Sequence, residues 1–107
     1  MLRIHSTILE MIGDVRHYAD AIALKDRDLA RQLRRSSMSV LLNEAEGSGC
    51  RAGTRRARYN DALGSARETF AGLEGAEAAG YIDAFRPDSR RRLDHIIGTF
   101  VRLLHRP

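Results

Sequence analysis

Apolar residues recur at the three-and-four spacing of a buried helix face in four successive segments, and nothing between them alternates with the period of a strand. In residues 4 to 22 the face is Ile4, Ile8, Met11, Ile12, Val15, Tyr18, Ala19 and Ile22. A second segment runs from about Asp28 to Gly47 on Leu29, Leu33 and Val40, with Asp26 or Asp28 as N-cap and Gly47-Ser48-Gly49 as its stop. A third starts near Thr54 and extends to Gly80, with Tyr59, Leu63, Ala66, Phe70 and Leu73 facing a core. Pro87-Asp88 opens the fourth, whose stripe is Leu93, Ile96, Ile97, Phe100, Val101 and Leu104. Short links favour antiparallel neighbours. The expected fold is therefore all-α, an up-down-up-down antiparallel four-helix bundle, with residues 1–107 as a single domain.

The second helix is apolar on two sides. Met38, Leu41, Leu42 and Ala45 lie opposite Leu29 and Leu33, and a small bundle has only one inside. On the third helix Gly64, Ala71, Gly75 and Ala78 line a direction about 130° from the core face. Interior glycines cost a helix up to ~1 kcal/mol relative to alanine, so Gly64, Gly75 and, with them, Gly72 imply close approach of a neighbour, from this chain or another copy. A break or kink at Gly72 is the competing expectation. Met38, Leu41, Leu42, Ala45, Gly64, Ala71 and Gly75 are the expected oligomer interface of a homo-oligomeric ring.

The stretch Arg34–Gly47, RRSSMSVLLNEAEG, carries polar groups where apolar ones belong. With Leu29 as reference, Leu33, Ser36, Val40, Asn43 and Gly47 all fall within about 40° of it, so Ser36 and Asn43 point at the core. Arg35, Ser39, Asn43 and Glu46 form a row beside them. A buried polar group without a partner costs ~1–3 kcal/mol, and these four could satisfy one another as a structural polar network.

Several function classes are excluded early. No run of apolar residues is long enough to span a membrane, and the N-terminal MLRIHSTILEMIGD lacks the apolar core of a signal peptide, which makes a cytoplasmic protein the expectation. Cys50 is the single cysteine, so no internal disulfide forms; beside Gly49 it reads as an incidental thiol. A di-iron bundle needs paired Glu-x-x-His motifs, whereas this chain offers only Asp14-x-x-His17, with His5, His95 and His105 outside ligand spacing. Ser36, Ser37 and Ser39 have no nearby histidine to activate them. Glu74 and Glu77 read as a solvated or capping pair, and Ser6 and Asp14 as surface residues. No enzyme, no metal site and no cofactor is expected.

The basic residues are more informative. Of 18 cations all but Lys25 are arginine, which follows either from a GC-rich genome or from a need for bidentate contact with phosphate or carboxylate. Arg51, Arg55, Arg56 and Arg58 crowd the start of the third helix with no acid among residues 51–60, and Arg86, Arg90, Arg91 and Arg92 crowd the start of the fourth. Residues 61–83 run the other way, five acids against Arg67. Cations at a helix start oppose the macrodipole and leave amide N–H groups beside positive charge, an arrangement suited to phosphate. In an antiparallel bundle the two starts lie at opposite ends, and Arg31, Arg34 and Arg35 share the second end with Arg86–Arg92. The alternative is a solvated rim neutralised by acids of the same or a neighbouring subunit.

The chain resembles the family of four-helix-bundle proteins encoded in intervening sequences of large-subunit ribosomal RNA genes. That family's segment Q-L-R-R-A-x-x-S-I-P-x-N-I-A-E-G corresponds here to Gln32, Leu33, Arg34, Arg35, Ser36, Ser39, Val40, Asn43, Ala45, Glu46 and Gly47. A later G-S-x-x-E is matched by Gly64, Ser65 and Glu68, and a G-Y-I by Gly80, Tyr81 and Ile82. Leu41 stands in place of the usual Pro, Glu44 in place of Ile, and Cys50 where a basic residue is common. The resemblance implies a homopentamer. It extends to the accessory variability determinant of diversity-generating retroelements, a bundle that binds nucleic acid and a reverse transcriptase. The expected function is a non-enzymatic oligomer that binds RNA or DNA through Arg31, Arg34, Arg35, Arg51, Arg55, Arg56, Arg58, Arg90, Arg91 and Arg92 as a scaffold for a partner such as a reverse transcriptase. The other reading is an adaptor for proteins alone, whose acidic 61–83 surface meets a basic partner.

Overall fold

A computed structural model describes residues 2–106. Among the described residues there are four helices and no strand: α1 (His5–Ile22), α2 (Arg27–Ser48), α3 (Ala52–Ala78) and α4 (Pro87–Leu104). The stops are chemically ordinary. Asp26 is extended and its carboxylate accepts the Leu29 N–H at 2.9 Å, the N-cap that the sequence offered beside Asp28. Gly80 ends α3 with φ of 77°, a conformation open to glycine, and Tyr81 N–H then reaches back to the Ala76 carbonyl at 2.9 Å. Pro87 occupies the first turn of α4, where its missing N–H costs nothing. α3 starts two residues earlier than the sequence suggests and ends at Ala78 rather than Gly80.

Each helix packs against its neighbours in the chain, and α4 packs against α1. Polar pairs join neighbouring helices. Along α1, His5 meets Glu44 and Asp20 meets Arg34. Between α2 and α3, Ser36 meets Thr69 and Glu46 meets Arg58. Between α1 and α4, Tyr18 meets Ser89 and Asp14 meets Arg92. The inward stripes merge into one cluster in which Ile8, Met11, Leu33, Leu73, Ile96 and Phe100 are almost completely buried. Burying such a side chain stabilises by about 1.5–3 kcal/mol before entropy is counted. The particle measures 42 × 23 × 19 Å.

α3 passes through Gly72 without a break, against the competing expectation there. The glycine is there for packing. A Cβ at position 72 would come 2.7 Å from Leu33 Cδ2, so its absence lets α2 and α3 close on each other. Gly64 and Gly75, expected to receive a neighbour, have nothing of this chain within 4 Å of where a Cβ would lie.

Candidate nucleic-acid interface

The polar seam of α2 finds its partners mostly on α3. Ser36, buried, shares a 2.8 Å hydrogen bond with Thr69 and donates to the Leu33 carbonyl at 3.3 Å. Asn43 donates to both the hydroxyl and the carbonyl of Ser39 at 3.0 Å, and Ser65 donates to the Ser39 hydroxyl at 2.8 Å. Of the expected network Arg35–Ser39–Asn43–Glu46, only the middle pair is joined. Glu46 turns instead to Arg58 at 3.2 Å, and Arg35 makes no hydrogen bond or ion pair among the described residues.

Sequence reasoning missed the deepest polar contact. Glu44, a departure from the family pattern, is fully buried, and its carboxylate lies 2.5 Å from His5 Nδ1. Ser48 donates to the other carboxylate oxygen at 3.3 Å and lies 3.4 Å from the Tyr59 hydroxyl. The signal was present: Glu44 projects about 60° from Leu29, between Leu33 and Ser37, on the core side. The pair ties the first turn of α1 to the last turns of α2. No group of three or more His, Cys, Asp or Glu among the described residues is placed to hold a metal ion.

Eight of the ten candidate arginines separate by end; Arg35, unpaired among the described residues, and Arg58, paired with Glu46, do not. Where α2 and α4 begin, Arg31 pairs with Asp28 at 3.1 Å, Arg34 with Asp20 at 2.8 Å, and Arg91 with Asp88. Arg90 sits 4.4 Å above the Phe85 ring and 5.3 Å from that of Phe70, with Glu74 at 3.6 Å and Glu77 at 3.9 Å. Arg92 bridges Asp14 at 3.0 Å and Glu10 at 3.5 Å. Asp14 is thus a half-buried partner of α4 and not the surface residue expected. Burial pushes its carboxyl above the ordinary value near 3.8; Arg92 opposes the rise and Glu10 adds to it. Glu77 also accepts the Phe85 N–H at 2.8 Å, a capping contact.

At the other end the pattern reverses. Arg51 and Arg56 have no acid partner among the described residues, Arg55 donates to the Cys50 carbonyl at 2.9 Å, and only Arg58 meets a carboxylate. The first turn of α3 holds no acid, and Arg51 provides no side-chain cap, so its leading N–H groups lie at a rim of arginines with one exposed acid, Glu46. Residues 2–9, 42–58 and 99–106, which meet here, carry seven arginines against Glu44 and Glu46. Residues 17–41 and 66–94 carry ten cations against nine acids.

Along the outside of α2 and α3 runs an open groove of about 1110 Å³, lined by Arg31, Arg35, Met38, Leu42, Ser65 and Glu68 among others. Met38 and Leu42 are 43% and 55% exposed, while Leu41 and Ala45 are half-buried, Leu41 against the core of its own chain. Gly64, Ala71 and Gly75 are exposed.

The sequence model of the 23S rRNA-intervening sequence protein family matches residues 9–100. The chain belongs to that family. In this intervening-sequence protein the matched span takes in all of α2 and α3 and most of α1 and α4. Among solved structures it is similar to a protein of unknown function from the S23 ribosomal protein family of Bacteroides thetaiotaomicron. The TM-score is 0.83 at 17% identity, over 96% of this chain and 99% of the other, a likeness of fold. Comparison with curated proteins gives no match. Among the described residues no helix of the intervening-sequence protein is long and apolar enough to cross a membrane.

Proposed function

We propose that this intervening-sequence protein is a non-catalytic, cytoplasmic scaffold or accessory factor that binds RNA or DNA at the end where α3 begins. The fold behind it is an up-down-up-down antiparallel bundle, a reading supported by the descending order of partners along each helix pair. Copies associate into a ring that repeats the cationic end around its rim. One observation carries the reading: Arg51, Arg55 and Arg56 have no carboxylate partner among the described residues, whereas Arg31, Arg34, Arg90, Arg91 and Arg92 each have one. An arginine already holding a carboxylate has less to gain from phosphate; a free guanidinium beside open helix N–H groups gains the whole contact.

Such binding is dominated by released counterions and falls steeply with salt, with a slope near −0.9 per neutralised phosphate on duplex DNA. Filter binding of the purified protein to structured RNA and to duplex DNA at two salt concentrations tests it. Retention at low salt that collapses at high salt is expected. Absence of retention at low salt rejects the reading.

A further inference from the structure

The cationic end does not stop at the start of α3. Arg3 lies in the turn that leads into α1, Arg102 in the last turn of α4 and Arg106 just beyond it; all are exposed and meet no carboxylate among the described residues. Residues 95–107 contain no acid. A cation in the last turn of a helix ordinarily answers the negative end of the helix dipole. Arg102 does not. Its guanidinium donates to the Thr99 hydroxyl at 3.3 Å and lies over Gly98, where a Cβ would come 3.2 Å from Nη1, so it folds back toward the middle of α4. The Val101 carbonyl at the helix end is taken by His105, whose Nδ1 donates to it at 2.7 Å. The rings of Tyr59 and Phe100, 5.7 Å between centroids, hold the start of α3 beside these last turns, and α1 packs against α4 on its other side. The end thus carries two rows of arginine, Arg51, Arg55 and Arg56 on α3, and Arg102 and Arg106 with Arg3 on α4 and α1. Packed helix axes lie about 8–10 Å apart and arginine side chains reach outward from both, so the rows are separated by roughly 10 Å or more.

We infer that the ligand of this end is a double helix, with one phosphate strand held by each row of arginines. The inference rests on the nucleic-acid reading above and deepens it, naming the class of nucleic acid and three arginines outside that reading. A duplex presents phosphates on both sides of a groove about 6–12 Å wide in DNA, the scale of the gap between the rows, whereas a single strand presents one file. The equipment for a single strand is missing. Proteins that bind one without sequence preference stack its bases on aromatic side chains. This chain has no Trp, and its three Phe and three Tyr are all buried or half-buried. Arginine on phosphate positions a duplex without reading its bases, so the cradle is blind to sequence. Arg102, already laid along α4, loses less freedom on meeting phosphate than an extended side chain would.

Filter binding of the full chain at low salt to duplex RNA, duplex DNA and an unstructured single strand of each, all of equal length, tests this. The duplexes are expected to bind about tenfold or more tighter than the single strands. Arg102→Ala with Arg106→Ala is expected to weaken duplex binding about tenfold and to lower its salt slope by about two contacts, while single-strand binding changes about twofold or less. Arg16→Ala with Arg67→Ala removes equal charge from exposed arginines that are unpaired among the described residues and lie away from this end, and is expected to cost about twofold or less on every probe. Circular dichroism confirms that both variants keep their helix content. A preference for the duplex in only one of the two chemistries keeps the cradle and names its backbone. Single strands retained as well as duplexes, or loss of Arg102 and Arg106 without effect on duplex, overturns the cradle and leaves the arginines of α3 standing as a nucleic-acid site. Equal losses in the two double variants overturn it too, since net charge then suffices. Retention of no probe overturns the nucleic-acid reading itself.

Discussion

The two ends of this molecule use arginine in opposite ways. Where α2 and α4 begin, cations and acids are nearly matched, and Arg34, Arg90 and Arg92 each reach across to an acid on another helix. Where α3 begins, arginines stand together with one exposed acid, Glu46, among them. Burial of the polar contacts runs the other way. Most ion pairs of the matched end are exposed, a class worth about 0–1 kcal/mol each. The cationic end contains the contact of half-buried His5 with buried Glu44, which joins α1 to α2. One end spends its charge internally; the other directs it outward over a buried polar lock.

The sharpest way to break this contrast is to remove equal charge from each end. Arg51→Ala with Arg55→Ala and Arg56→Ala is predicted to lower affinity for structured RNA at low salt on the order of a hundredfold and to flatten the salt slope by about three contacts. Arg31→Ala with Arg34→Ala and Arg91→Ala removes the same formal charge and is predicted to cost about threefold or less. Equal losses in filter binding would show that net charge, and not its placement, governs binding. The lock comes next. His5→Ala removes the Nδ1 partner of the buried Glu44 and leaves its carboxyl only Ser48, with a predicted loss of about 2 kcal/mol in urea unfolding. His5→Leu combined with Glu44→Leu should recover most of that, since well-packed apolar groups replace a buried pair at little cost.

The four helices were legible because a buried stripe repeats every three or four residues whatever it packs against, and Asp26, Gly80 and Pro87 punctuate the chain by local chemistry. What packs against what was not. Glu44 projects onto the core face, yet nothing in α2 says that the residue meeting it is His5, 39 positions away. Asp14 looked like a surface acid because Arg92 lies 78 positions on. At Gly72 the expectation of close approach holds, but the residue that approaches, Leu33 at 2.7 Å from a Cβ placed there, belongs to α2 and could not be read from α3. The arginine clusters were visible as clusters, but their neutralisation is a tertiary fact, set by acids on the neighbouring helices.

At the matched end, Arg90 probes whether its cations are structural. Its guanidinium covers Phe85 and Phe70 while meeting Glu74 and Glu77. Arg90→Ala is predicted to destabilise by about 1 kcal/mol, combining a lost cation–π contact with lost cover for the rings. Arg90→Lys should recover only part, since an ammonium lacks the planar stacking surface. Binding to nucleic acid measured below the unfolding transition should be unchanged in both. A drop in affinity without a drop in stability would move Arg90 to the binding side of the comparison.

The smallest predicted effect concerns Asp14, and its sign is the informative part. Burial holds its carboxyl above the ordinary value near 3.8. The folded protein therefore takes up this proton more readily than the unfolded chain. Stability from that preference is fully present below the unfolded value and is lost as pH rises through the raised folded value. A carboxylate held mainly by its cation partner would do the reverse, gaining stability as pH rises. Subtracting the stability of Asp14→Asn from that of wild type should thus leave a difference that declines as pH climbs from about 3.8 toward neutrality, smaller than the Arg90 effect. Near neutral pH the two proteins should be close in stability, because the amide removes a buried charge while Arg92 keeps Glu10. Urea midpoints across that range measure it. A difference that rises with pH would mean that the Arg92 contact outweighs burial at this site, placing Asp14 with the ordinary ion pairs of the matched end.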